Sequence, residues 1–245
     1  MSFMAFYDKE SDIFQLMQSV PYEKIAFLTE SDSEEKLVEA IRNSTHWIDN
    51  SADTNNPPDY LNDVDHIMMD FMRTNDFEKR SKSGKVKNEV AAAENKIIKE
   101  LKLQLKRHLS DEVTKNVDMN VIPDVAPKPD FEKYYNNIKH VLESHGRQTS
   151  KYRENHPNKD IVFCVCDLSE HDHLMQDAAG NTRIFLPCYD RSVLKMIKEC
   201  MAEYVIWLTP YLMPDRDAPQ MVVIDTDKLA PDEYPVCFGV KQGSD

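Results

Sequence analysis

The chain is short of glycine, with 5 among its 245 residues, against an average share of about 7%. Rossmann and P-loop phosphate sites need several glycines in one turn, and neither GxGxxG nor GxxxxGK[ST] occurs. The GxSxG turn of the α/β-hydrolases is absent as well. We therefore expect neither a dinucleotide-binding protein, nor a P-loop nucleoside triphosphatase, nor a serine hydrolase of that kind.

Long apolar runs are also absent. No stretch of about 18 apolar residues occurs, so we expect no membrane-spanning helix. The first residues carry no basic region and soon reach Asp8, so no signal peptide is expected. Two of the five cysteines, Cys164 and Cys166, stand one residue apart in an apolar run. Cysteine used in this way indicates buried thiols in a reducing compartment, so a cytoplasmic protein is predicted.

Positive charge is concentrated in one segment. The net charge is −13, but residues 79–107 hold ten basic and three acidic side chains, so this segment is +7 and the rest of the chain is −20. One interpretation is a solvated helix face with pairs such as Lys96 and Glu100. The other is an anion-binding arm that contacts the backbone of a nucleic acid.

The order of predicted elements indicates one α/β, or mixed α+β, domain over residues 1–245. Helices are predicted over 9–18, 31–47, 88–109, 130–154 and 191–201. Buried strands are predicted over 161–168, 203–212 and 220–229. Such alternation implies a central mixed sheet with flanking helices, and the helices of 88–155 are predicted to form a helical-hairpin insertion.

Residues 57–76, PPDYLNDVDHIMMDFMRTND, place acidic and histidine side chains among large apolar ones. A strand over 66–73 would put His66 and Asp70 on one face, because side chains alternate along a strand. Asp59 precedes this strand in a turn. Two nearby carboxylates are typical ligands of Mg²⁺ or Mn²⁺, so Asp59 and Asp70 are candidate catalytic metal ligands and His66 a candidate catalytic residue. The alternative for Asp70 is an ion pair with an arginine or lysine at the strand end.

The succession of a helix with acids, Pro58-Asp59, a strand bearing Asp70, and a later strand, helix and strand resembles the αβββαβ core of the PD-(D/E)xK, restriction-endonuclease-like nucleases. The resemblance implies that Asp59 and Asp70 bind Mg²⁺ or Mn²⁺ and that the protein hydrolyses phosphodiester bonds. It also implies a helix acid that assists, for which Glu35 is the candidate.

In that family a lysine two residues after the second acid, on the same face of the strand, polarises the attacking water, and this sequence departs from the pattern at that position. Met72 stands at that position, and Arg73 follows on the opposite face of a regular strand. A lysine from elsewhere in the chain, such as Lys79 or Lys85, would have to take the role of the missing lysine. Two functions therefore stay open. One is a metal-dependent nuclease, or a degenerate relative that binds nucleic acid through residues 79–107. The other is a non-enzymatic cytoplasmic accessory protein with a protein partner, which the acidic net charge favours.

A second group of metal-ligand types lies in CVCDLSEHDH, where Cys164 and Cys166 precede His171 and His173. Zinc is one interpretation. The favoured interpretation is a buried strand with core cysteines, because thiols under a sheet and histidines beyond its end converge poorly.

Overall fold

The structure is a computed structural model. It describes residues 9–51, 58–74, 78–80, 86–88, 96, 98–101, 104, 130–169, 173–176, 180–210, 218–236 and 238–239. The helices are α1 (Glu10–Ser19), α2 (Asp32–Arg42), α3 (Phe131–Gly146), α4 (Thr149–Asn155) and α5 (Arg191–Glu199). The strands are β1 (Ile25–Phe27), β2 (Trp47–Asp49), β3 (Tyr60–Asn62), β4 (Ile67–Thr74), β5 (Glu78–Arg80), β6 (Val86–Asn88), β7 (Asp160–Asp167), β8 (Leu174–Gln176), β9 (Thr182–Ile184), β10 (Tyr204–Leu208), β11 (Met221–Asp225) and β12 (Phe238–Gly239).

A seven-stranded mixed sheet organises the described part of the chain, in the order β1-β11-β10-β7-β4-β3-β2. Its centre is parallel, because β7 pairs in parallel with both β4 and β10. The flank formed by β3 and β2 is antiparallel, because β3 pairs with β4, and β2 with β3, in opposite directions. Helices cover both faces, which confirms the predicted mixed α+β fold with a central mixed sheet.

The central strands are apolar on both faces because a helical layer covers each one. On one face Phe163 and Val165 of β7 pack with Met68 of β4 and Ile138 of α3. On the other face the thiols of Cys164 and Cys166 pack in the core formed with α1 and α2, whose members include Ile13 and Leu37. Alternation along β4 and β7 therefore assigns each side chain to one helical layer.

Carboxylate side chains cap the N-termini of three helices. Ser31 and Glu34 form a capping box at the start of α2, and Glu34 also accepts the backbone N–H of Asp225. Asp190 accepts the N–H groups of Ser192 and Val193 at the start of α5, and Asp130 caps α3 in the same way. These bonds satisfy N–H groups that have no partner within the helix.

Three of the helical predictions need comment. The helix predicted over 130–154 is two helices, α3 and α4, and α3 packs against the central sheet. The helical-hairpin insertion predicted over 88–155 lies partly outside the described residues and stays a prediction. The helix predicted over 88–109 lies largely outside the described residues. Within this range, residues 98–101 are helical, whereas residue 88 belongs to strand β6. The α2 helix was predicted to reach residue 47 but ends at Arg42. Strand β2 follows it, and the sequence periodicity did not predict this strand.

Within the described ranges, no helix is both long and apolar enough to cross a membrane. Four cysteines in these ranges are buried free thiols: Cys164, Cys166, Cys188 and Cys200. Burial raises the pKa of each of these thiols, that of Cys166 to about 12.

Candidate active site

Two carboxyl groups meet across the β3–β4 hairpin. Tyr60 pairs with Met69, so the antiparallel register sets Asp59 opposite Asp70. Their side chains are in hydrogen-bonding contact, and Asp59 Oδ2 also accepts the backbone N–H of Phe71 at 2.8 Å. The structure thus brings together two of the three candidate site residues, which we call the acid pair.

The environment of the acid pair favours retention of a proton. Burial and the negative charge of Asp70 raise the pKa of the Asp59 carboxyl to about 7, while the N–H of Phe71 acts in the opposite direction. The charge of Glu10 raises it further. The pair is therefore a site of excess negative charge, which a proton relieves near neutral pH.

Asp70 is held by two side chains from the helical layer above it. His145 Nδ1 and the Tyr152 hydroxyl each lie 2.7 Å from Asp70 Oδ2. Asp70 is 5% exposed and Tyr152 is buried, while the His145 ring remains partly open to solvent. Burial and the charge of Asp70 raise the pKa of Tyr152, so its hydroxyl stays a donor. Sequence reasoning missed both residues, because no local pattern links them to Asp70.

His66 lies outside the strand, so the expectation that it shares a face with Asp70 is wrong. The strand begins at Ile67, and His66 is an exposed turn residue with a φ of 56°. Its carbonyl accepts the N–H of Asp160 at 2.8 Å, which joins the turn to β7. Histidine tolerates this left-handed conformation better than most residues. His145 contacts Asp70 where His66 was expected.

Arg73 and Glu10 form an ion pair on the other face of β4. Arg73 Nη2 lies 2.8 Å from Glu10 Oε1, and both side chains are 31% exposed. Because the charge of Glu10 acts on Asp59, the helix acid near the acid pair is Glu10. The expected helix acid, Glu35, is an exposed residue of α2 beside Tyr22.

Met72 occupies the position of the family's lysine and is buried in the core beneath α3. The side chains of Lys79 and Lys85, the alternatives considered from the sequence, lie outside the described residues. The basic segment 79–107 is likewise described only in part, so its contacts with a nucleic acid remain a prediction.

The chemistry of the acid pair fits a divalent cation. Mg²⁺ is commonly held by one or two carboxylates and completes its shell with waters and substrate phosphates. Asp59 and Asp70 supply two such groups, and their mutual repulsion would be relieved by positive charge between them. Among the described residues, no group of three or more histidine, cysteine, aspartate and glutamate side chains has the geometry to hold a metal ion.

The cysteines and histidine of the second predicted group do not converge. Cys164 and Cys166 pack toward α1 and α2, whereas the ring of His173 stacks on Tyr134 of α3, with 4.5 Å between ring centroids. His171 lies outside the described residues. The thiols and His173 thus belong to opposite faces of the sheet.

A second buried carboxylate lies at the end of β7. Asp167 accepts hydrogen bonds from the Tyr134 hydroxyl, from Trp207 Nε1 at 3.2 Å and from the N–H of Ser169 at 3.1 Å. It shares the sheet face of Asp70 and is also 5% exposed. These three hydrogen bonds connect the end of β7 to α3, to β10 and to the residues that follow β7.

Comparison of the chain with protein-family models, with curated proteins and with solved structures finds no match.

Proposed function

We propose that this chain is a divergent nuclease-fold protein that holds Mg²⁺ or Mn²⁺ at the acid pair and acts on the phosphodiester backbone of a nucleic acid. The contact between the Asp59 and Asp70 carboxyls carries the proposal. The order α2-β2-β3-β4-α3-β7 supports it, because, apart from the β5-β6 hairpin before α3 and the short helix α4 after it, it follows the αβββαβ succession of the PD-(D/E)xK nucleases. The buried free thiols support a cytoplasmic location.

Each residue of the site has a defined task in this proposal. Asp59 and Asp70 bind the cation, which supplies positive charge to stabilise the phosphate in the transition state. Tyr152 and His145 orient the Asp70 carboxylate through its Oδ2 atom. The backbone N–H of Phe71 orients Asp59. Because Asp70 is buried, bulk water screens these interactions little.

A non-cleaving nucleic-acid-binding protein of the same fold is the second candidate function. The observation that favours it is Met72, which is buried and apolar where a lysine would assist the attacking water. Arg73 does not replace that lysine as a base, since a guanidinium keeps its proton. In this case the acid pair still binds the cation, but no hydrolysis follows.

Calorimetric titration of the protein with Mg²⁺ and Mn²⁺ at pH 8 tests metal binding. The expected result is binding by the wild type and at least a tenfold loss of affinity in Asp70→Asn, because one of two carboxylate ligands is removed. Asp167→Asn is the matched control, since it changes an equally buried carboxylate on the same face, and it should bind like the wild type.

Equal heats in the wild type and Asp70→Asn, or no heat in either, would contradict metal binding at the acid pair. Far-UV circular dichroism of each variant shows that it is folded. Incubation of wild type with Mn²⁺ and radiolabelled DNA or RNA then separates the two candidates, because only the nuclease shortens the nucleic acid.

A further inference from the structure

A cleft opens on the α2 side of the central sheet, at the edge where strands β4, β7 and β10 begin. Its lining comes from α2, including Lys36 and Leu37, and from the sheet edge, including Ile67 and Asp160. Its volume of about 460 Å³ lies within the range of about 300–1,000 Å³ that is typical of small-molecule sites. Asp70 lies on the other face of the sheet, beneath α3, so the cleft is separate from the acid pair.

Asp160, the first residue of β7, supplies a carboxylate to this cleft. Within the described part of the chain, the carboxylate forms neither an ion pair nor a side-chain hydrogen bond. Burial and the charge of Glu203 raise the pKa of Asp160, and Arg153 only partly opposes this effect. Arg153 is itself paired with Glu203, at 2.6 Å. The surroundings of the Asp160 carboxylate therefore favour the binding of a cation.

The other two acids of the lining have different neighbours. Asp65 Oδ2 lies 3.1 Å from His46 Nδ1 and accepts a hydrogen bond from Asn62 Nδ2 at 2.8 Å. The charge of Glu39 acts on Tyr22, which lies outside the lining. We therefore expect a cationic group in the cleft to bind at Asp160.

Lys36 brings the opposite charge to the same cleft. It is an exposed residue of α2, and it forms no ion pair with Asp160 or with any other residue that the structure describes. Its ammonium group is a hydrogen-bond donor for carboxylates. Leu37, Ala40 and Ile67 add apolar surface to the lining. A ligand that carries an ammonium and a carboxylate on a short carbon frame would satisfy both charges and cover this apolar surface.

We propose that the cleft binds a zwitterionic small molecule of the amino-acid class, with its ammonium group at Asp160 and its carboxylate at Lys36. A cation alone would leave Lys36 without a counter-ion, and an anion alone would leave Asp160 without one. Such binding needs neither a metal ion at the acid pair nor a nucleic acid, so it is independent of the proposed function.

Saturation-transfer NMR in EDTA, with the protein amino acids, β-alanine and γ-aminobutyrate as probes, identifies the zwitterion that binds best. Calorimetry then compares this zwitterion with two analogues, the amine that lacks the carboxylate and the acid that lacks the amino group. We expect the zwitterion to bind at least about tenfold more tightly than either analogue, because each analogue loses one charge-assisted contact.

Two substitutions separate the contacts. We expect Lys36→Gln and Asp160→Asn each to weaken binding of the zwitterion about tenfold. In Lys36→Gln the amine should bind as tightly as the zwitterion, and in Asp160→Asn the acid should do so. Lys195→Gln and Asp232→Asn are matched controls, because they remove the same charges from an exposed ion pair at 2.9 Å in the opposite helical layer. Both controls should bind like the wild type.

Far-UV circular dichroism shows that each variant is folded. A wild type that binds no amino acid at millimolar concentration would overturn the inference, and so would an analogue that binds as tightly as the zwitterion. Unchanged affinity in folded Lys36→Gln or Asp160→Asn would overturn it as well, because the ligand would then lie elsewhere. Since EDTA removes divalent cations, these results do not depend on metal binding at the acid pair.

Discussion

Asp70 and Asp167 are buried equally on one face of the central sheet, beneath the same helix, but their neighbours differ. Asp70 of β4 lies beside Phe163 of β7, and Asp167 follows four residues later on β7, about 13 Å along the strand. Each is 5% exposed, and each accepts a tyrosine hydroxyl, from Tyr152 or Tyr134.

The difference lies in what else each carboxylate meets. Asp167 receives N–H groups from Trp207 and Ser169, whereas Asp70 faces the carboxyl of Asp59. Donors compensate the burial of a charge, and a second acid adds to its cost. Asp167 therefore stabilises the sheet, while the acid pair holds two carboxyls of like charge in contact, with the pKa of Asp59 raised, which is more typical of a functional site.

The largest expected effect is on stability at Asp167. We expect Asp167→Ala to lower the free energy of unfolding by about 2–4 kcal/mol, because the Tyr134 hydroxyl and Trp207 Nε1 lose their buried carboxylate acceptor. Urea unfolding followed by tryptophan fluorescence measures it. A loss under about 1 kcal/mol would mean that Asp167 does not hold the end of β7.

The second effect depends on pH and concerns Asp59. Its pKa is about 7 in the folded protein and about 3.9 in the unfolded chain, so its stabilising contribution is complete below pH 4 and is lost as pH rises through 7. Asp59→Asn removes this titration. We expect the variant to gain stability relative to the wild type between pH 5 and pH 8, by about 1–3 kcal/mol.

Urea unfolding at both pH values measures the change, and Asp49→Asn is its control. Burial alone would raise the pKa of Asp49, but hydrogen bonds from Ser51 and Tyr60 lower it overall. Its stabilising contribution is lost only as pH falls through the folded-state pKa, which lies below the ordinary value of 3.8. Asp49→Asn should therefore show no change in relative stability between pH 5 and pH 8. A pH-independent effect of Asp59→Asn would show that the acid pair holds no proton.

The smallest expected effect separates the two tyrosines. Tyr152→Phe removes one donor from Asp70 and should cost about 1–2 kcal/mol at pH 8, and Tyr134→Phe should cost about the same at Asp167. At pH 5, where the acid pair holds a proton, the cost of Tyr152→Phe should fall by about half. Thermal unfolding by circular dichroism checks this, and an unchanged cost would contradict the shared proton.

Local patterns predicted much of the fold. The apolar run of 161–168 corresponds to β7, one residue earlier, because both faces of that strand are covered. The capping signal at Ser31 marks the start of α2. The break between α3 and α4 was missed, since it follows Gly146, where an added Cβ would meet Cys200 Cα at 3.0 Å. That constraint comes from tertiary packing and leaves no periodic signal.

The candidate site was predictable only where it is local. Asp59 and Asp70 belong to one hairpin, so turn and strand patterns could bring them together. His145 and Glu10 reach the site through the packing of α3 and α1, which one sequence does not reveal. The prediction for His66 was wrong because this residue has a left-handed conformation, so that the alternation of β4 begins one position later, at Ile67.

The sequence separations around Asp70 also set an order for assembling the site. Asp59 and Asp70 are 11 positions apart, whereas His145 is 75 positions from Asp70. In the unfolded chain, closing the longer loop costs about 1.7 kcal/mol more entropy than closing the shorter one. Forming the hairpin that carries the two acids therefore costs less entropy than bringing His145 to Asp70. Helices α3 and α4 then pack over two carboxyls that already lie side by side.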